Sequence, residues 1–154
     1  MPKFSLADIA ETGGSGYPPE FADVVDGRVV RRLTNAAGLS QFGVNLVRLK
    51  PGTWSAQRHW HTHEDEFVWL VEGEAMLVTD EGETPMGAGD CAGFPAGEAN
   101  GHCLINRSEA DCVFMVVGSR LDADGAHYPD IDLEARPGRY SGPGVFTRKD
   151  GSPI

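Results

Sequence analysis

Four of the five histidines in this 154-residue chain fall in two short windows, His59, His61 and His63 in the first and His102 in the second. In the run Gln57-Arg58-His59-Trp60-His61, a strand period of two puts His59 and His61 on one face, about 6 to 7 Å apart along the strand, with Trp60 on the other. Two neutral imidazoles so placed can converge on one ion. The polar segment Thr62-His63-Glu64-Asp65 is suited to turn the chain, after which Glu66 opens the apolar run Phe67-Val68-Trp69-Leu70-Val71 on the neighbouring position. Two imidazoles and one carboxylate on one side of an ion form a facial set suited to Fe(II), Mn(II), Ni(II) or Zn(II), with positions left open for water or substrate. His61 with His63 is an alternative pair, but it leaves only two residues before Glu66, and His63 reads as part of the turn. The competing explanation is a set of core and surface histidines that merely hydrogen-bond. Glu64 and Asp65 read as a solvated turn.

These residues need short strands to hold them, and the chain supplies that pattern. From Gln41 to Gly118, runs rich in Val, Leu, Phe and Trp alternate with Gly-bearing turns at the spacing of a sandwich or barrel. Strands are expected near 28 to 33, 42 to 50, 54 to 61, 66 to 72, 74 to 79, 83 to 86, 90 to 95, 101 to 106 and 111 to 118, with hairpin turns at Glu72-Gly73-Glu74 and Asp80-Glu81-Gly82. No core segment of helical length keeps a 3.6 period. The expectation is one all-β domain, a jelly roll or closed barrel over 41–118, with an N-terminal arm over 1–40 and a C-terminal arm over 119–154. If His59, His61 and Glu66 face inward, strand parity sends Ser55 and Gln57 inward as polar lining and Val68 and Leu70 as an apolar wall. Trp60, Phe67 and Trp69 then face outward, where large aromatics need a cover from the arms or a second subunit. His127-Tyr128 in the C-terminal arm reads as a surface loop, with a lid or proton donor at the barrel mouth as the other possibility.

The same residues carry a family resemblance. Gly52 … His59-x-His61-x4-Glu66-x6-Gly73 resembles the first motif of the cupins, and Gly89-x5-Pro95-x-Gly97 followed by His102-x3-Asn106 resembles the second. The resemblance covers about residues 41 to 118, and two linked motifs in order are far more specific than one H-x-H. It implies a small single-domain cupin: a jelly-roll barrel holding one divalent transition metal through three histidines and one glutamate, which fall here on His59, His61, His102 and Glu66. Two departures matter. Six residues rather than five separate Gly52 from His59, a slip that a β-bulge can absorb. The second motif's usual histidine position holds Asn100, with His102 two residues further on; a shift of two preserves the face, so His102 is favoured as fourth ligand and Asn100 as a substrate contact.

Composition narrows the function. With 23 acidic and 13 basic residues, the net charge of −10 is the wrong sign for a general nucleic-acid or anionic-membrane binder. No apolar run approaches a membrane span and the N-terminus lacks an apolar leader, so a cytoplasmic protein is expected. Cys91, Cys103 and Cys112 have no C-x-x-C pairing and read as reduced, buried small hydrophobes. The resulting expectation is a metal-dependent enzyme of oxygenase, isomerase or lyase type acting on a small oxygenated metabolite, with Glu66 also a candidate base. A non-catalytic module binding a small molecule or a structural metal is the alternative. A pocket with polar groups around open metal positions favours the first, and a closed site or an apolar plug the second. Small cupins commonly pair through sheet faces, so the resemblance also implies a homodimer.

Overall fold

A computed structural model describes residues 3–154. Twelve strands are present among these residues: β1 (Arg28–Arg32), β2 (Phe42–Leu49), β3 (Trp60–His61), β4 (Glu66–Glu72), β5 (Glu74–Thr79), β6 (Gly82–Gly87), β7 (Cys91–Phe94), β8 (Cys103–Ile105), β9 (Cys112–Ser119), β10 (Ala126–His127), β11 (Glu134–Ala135) and β12 (Phe146–Thr147). Helical structure is limited to four short turns, at Leu6–Asp8, Pro19–Ala22, Asp23–Val25 and Leu33–Ala36. The strands form a five-stranded sheet in the order β1-β2-β9-β4-β7, a three-stranded sheet β6-β5-β8 and a small sheet β12-β11-β10-β3. Every strand pairing is antiparallel. The core lies between the first two sheets, with Val47, Leu49, Val68, Leu70 and Phe114 from one meeting Ala75, Met86 and Leu104 from the other. This is the all-β jelly-roll arrangement that the turn spacing predicts.

Burial alternates along β4 as parity requires: Val68 and Leu70 are buried, whereas Phe67 and Trp69 are 44% and 40% exposed. Across the five-stranded sheet, Arg32, Asn45, Val116, Val68 and Ala92 form one row of directly opposed residues, and Gly43, Gly118, Glu66 and Phe94 form a second. The inner face thus carries an apolar band with polar groups on β1, β2 and β4.

Two expected features differ. Asp80-Glu81 does close a hairpin, with Thr79 opposite Gly82. The Glu72-Gly73-Glu74 turn does not, because β4 pairs with β7 and β9 while β5 pairs with β6 and β8. At Gly73 the chain leaves one sheet and enters the other, a corner that has the same glycine signal as a hairpin. Residues 54 to 61 are not one strand either. Trp54 bridges Ile105 and His59 bridges His102, so the partner register shifts by two and residues 55–58 bow out of the ladder. That bulge takes up the extra residue between Gly52 and His59.

The segments flanking the barrel meet each other. Tyr17 and Phe21 pack with Ala126, Tyr128, Leu133 and Phe146 in a second apolar cluster. Of the cysteines, Cys103 and Cys112 are buried, and burial pushes their thiols up to about 12 and about 11. Cys91, expected inside, is exposed, because on β7 its side chain shares the outward face with that of Trp69 opposite it.

The corner at Gly73 yields a prediction. Its φ is +80°, and a Cβ there would lie 2.7 Å from the Asp111 carbonyl oxygen. Gly73→Ala should therefore lower stability by about 2 kcal/mol or more, seen as a lower urea midpoint at unchanged m-value.

Candidate metal centre

The bulge at 55–58 returns His59 to the barrel beside His102, and β3 carries His61 two positions on. Glu66 opens β4 opposite Gly118 and Phe94, so its carboxylate points at the two histidines from the other sheet. One nitrogen from each of His59 and His61 and one oxygen of Glu66 lie within 4.8 Å of one another. The His61 Nε2 to Glu66 Oε2 distance is 3.7 Å. His102 joins from the side of Phe94, on which its ring stacks at 3.5 Å, and its Nε2 stands 3.2 Å from Glu66 Oε1. Its Nδ1 is buried without a partner.

The other ring nitrogens explain the orientation. His59 Nδ1 sits 2.7 Å from the Gln57 carbonyl oxygen and His61 Nδ1 sits 2.8 Å from Asp124 Oδ2. Each acceptor fixes the proton on Nδ1 and leaves the Nε2 lone pair facing inward, the arrangement that outer partners give to metal-binding histidines. Burial, aided by the fields of His61 and His102, lowers the His59 pKa to about 3, so the ring is neutral near pH 7. For His61 burial acts in the same direction, but the hydrogen bond to Asp124 and the charges of Glu66 and Asp124 outweigh it and raise the pKa. Burial opposes ionisation of Glu66, yet the hydrogen bond from His102 and the three imidazoles bring it down to about 2. Two or three imidazoles and an ionised carboxylate fit a first-row divalent ion.

A second group, His61, Glu64 and Asp124, shares one histidine with the first. Here a guanidinium supplies the positive charge. Arg139 pairs with Glu64 and lies 3.5 Å from Asp124, whose carboxylate also accepts from the backbone amides of His63 and Glu64. Glu64, expected on a solvated turn, is 5% exposed, because the C-terminal segment folds over it. Asp65 does stay at the surface, where it accepts from the Ala96 amide. Sequence reasoning had no signal for Asp124 or Arg139, since neither lies in a motif and the His61–Glu64 segment they bind is 60 or more positions away.

The cluster opens on a cavity of about 620 Å³ whose walls include Tyr17, Arg28, Asn45, Ser55 and Tyr128. Ser55 lines it as expected, with its hydroxyl accepting from the Leu104 amide. Gln57 does not line it. In the bulge strand parity fails, and the Gln57 amide turns away to donate to the Phe21 carbonyl while its own carbonyl holds His59. Asn100 borders a second cavity of about 290 Å³, which shares His61, Glu64 and His102 with the first. Its amide is engaged by the Asp80 backbone and the Glu81 carboxylate, so it braces the β5–β6 hairpin. His63 stays in the turn and bonds Thr62. The expected surface loop at His127-Tyr128 is instead a cover: His127 stacks on Trp60 at 4.4 Å, and buried Tyr128 lies 5.6 Å from the His59 ring.

The Arg139 pairing carries a prediction of its own. Arg139→Ala would leave the buried Glu64 and Asp124 carboxylates without their counter-charge. With discounting for the partial exposure of the arginine, urea unfolding should show a loss of about 2 kcal/mol, partly restored in Arg139→Lys.

Comparison with known proteins fits this geometry. A model of the Cupin domain matches residues 45–118. A crystal structure of a sugar phosphate isomerase from a cupin superfamily, from Silicibacter pomeroyi, is 51% identical over 99% of this chain and 96% of that one, with a TM-score of 0.94. A structure from Acidithiobacillus ferrooxidans, whose assignment as a sugar phosphate isomerase is provisional, is 30% identical over 82% of this chain and 80% of that one, with a TM-score of 0.73. A polyketide cyclase from Streptomyces resistomycificus shares the fold at 23% identity and a TM-score of 0.63, over 77% of this chain and 79% of its own. No curated protein matches the chain.

Proposed function

The chain belongs to the cupin superfamily, and on that premise we propose that it is a metal-dependent isomerase of a small phosphorylated sugar. The observation that carries the reading is the convergence of His59, His61 and Glu66 on the wall of a roomy cavity with polar lining. A closed site or an apolar plug would have favoured a binding module. Similarity to the Silicibacter pomeroyi isomerase supports the substrate class.

In this reading His59, His61, Glu66 and His102 hold one divalent ion per chain. Bound there, the ion would polarise a hydroxyl–carbonyl pair of the sugar and acidify the C–H between them. Glu66, ionised down to about pH 2, serves as a ligand; a base for work near neutrality needs a higher pKa. Asp124 keeps His61 in the tautomer that faces the substrate. Tyr128, whose pKa burial and the neighbouring Tyr17 raise well above the ordinary phenol value, stays protonated over His59, with its hydroxyl donating to that of Tyr17. Isomerisation moves a proton between adjacent carbons and needs no redox partner. The reading includes two copies of the chain meeting through the exposed face of Phe67 and Trp69, and a cytoplasmic protein. No helix among the described residues is long and apolar enough to cross a membrane.

The test is metal content by mass spectrometry on anaerobically purified native protein and on the double variant His59→Ala, His61→Ala, followed by NMR of phosphorylated aldoses in D2O. Native protein should carry near-stoichiometric metal, interconvert aldose and ketose, and exchange deuterium at the carbon beside the carbonyl. The variant should lose the metal and at least about 10³-fold in rate while staying folded. Metal-loaded native protein that leaves every aldose and ketose phosphate unexchanged would overturn the reading.

A further inference from the structure

In a chain with 23 acidic residues, most arginines find a carboxylate. Arg31, Arg48, Arg58, Arg107, Arg139 and Arg148 all do. Four others, Arg28, Arg32, Arg120 and Arg136, border the large cavity, and none of them pairs with a carboxylate among the described residues. Two of these four have side-chain or carbonyl partners on the segments flanking the barrel. Arg120 is held by the Leu39 carbonyl, Thr34 and Asn35, and Arg136 by Thr147.

Arg28 and Arg32 differ. They stand four residues apart on β1, on the face that also carries Val30 into the cavity. Arg28 Nη1 donates to the Ser55 carbonyl at 2.5 Å and Nη2 to the Gly14 carbonyl at 3.4 Å, while its Nε is buried with no partner. Arg32 reaches only the Thr12 hydroxyl. Burial lowers the Arg28 pKa, Tyr17 opposes it, and the like charge of Arg32 adds a smaller push downward. Asn45 lies opposite Arg32 across the β1–β2 pair, lines the same cavity, and has a buried Oδ1 without a partner. Along the sheet, Asn45 is two strands and two positions from Glu66, roughly 12 Å between Cα atoms at ordinary strand spacing. With both side chains reaching inward, that gap suits a substrate of a few carbons. Unpaired buried polar groups and like charges held together are costly unless a ligand completes them.

We infer that Arg28 and Arg32 form a phosphate subsite at the β1 wall of the cavity, with Asn45 taking a sugar hydroxyl between that subsite and the histidines. Two planar forks match the geometry and charge of a phosphate dianion better than a single carboxylate. This deepens the isomerase reading and rests on it for the substrate, but the subsite can be tested without turnover.

Inorganic phosphate is the probe, titrated by calorimetry into metal-loaded native protein, Arg28→Gln and Arg32→Gln, with acetate as the control anion. Native protein should bind phosphate in preference to acetate, and each variant should weaken it about 10- to 100-fold with metal content unchanged. Because Arg32 is exposed, Arg32→Gln keeps the test valid if Arg28→Gln fails to fold. In turnover, the variants should raise KM for the phosphorylated sugar and erase the native preference for it over its unphosphorylated parent. Loss of phosphate binding in the variants of a protein that isomerises nothing would uphold the subsite and sink the isomerase. Full phosphate affinity in the variants, equal affinity for acetate, or no phosphate binding by native protein would overturn the subsite whatever the enzyme assay shows.

Discussion

A single buried carboxylate, that of Asp124, sets the geometry on which the site depends. It accepts from His61 Nδ1 and from the amides of His63 and Glu64, so it fixes a ring tautomer and the path of the turn leading into β4 in one stroke. Glu66 follows two residues later, and its approach to the histidines is set by how that turn enters the sheet. An isolated ionised carboxylate almost fully out of water would be prohibitively costly. Here three donors and the Arg139 guanidinium offset that cost, and Arg139 also neutralises Glu64. His61 is thus oriented by a polar network anchored outside the core strands, while His59 is held by the Gln57 carbonyl.

Much of the barrel was legible because hydrophobic period and glycine punctuation are local signals. The strand at Glu66–Glu72 falls on its expected bounds, and Val68 and Leu70 turn inward while Phe67 and Trp69 turn outward. The proximity of His59, His61 and Glu66 follows from the same arithmetic. What the sequence hid was non-local. Gly73 announces a turn, but whether the chain folds back or crosses to the other sheet depends on partners of β4 that lie 22 to 52 positions away. The bulge at 55–58 breaks the parity that placed Gln57 in the cavity, and its cause is a register set by Ile105 and His102. Asp124 and Tyr128 sit in a polar stretch with little periodicity, where the sequence offers no reason to expect burial.

Net charge and local charge also separate. The acidic balance of the whole chain gives a long-range field of the wrong sign for polyanions. The cavity-facing side of β1 nevertheless carries two guanidiniums, at the first and last residues of the strand, where short distances count for more than the distant surface acids. An acidic chain can therefore still present a cationic wall to a cavity.

The 63-residue separation between His61 and Asp124, and the 75-residue separation between Glu64 and Arg139, have a consequence for biogenesis. Chains emerge from the ribosome N-terminus first, and contacts this distant in sequence form late. His61 leaves the exit tunnel well before the carboxylate that orients it, so the nascent barrel has this imidazole but not its alignment. An ion held at the proposed centre would then be selected by the finished chain, in the solution around it and not during synthesis.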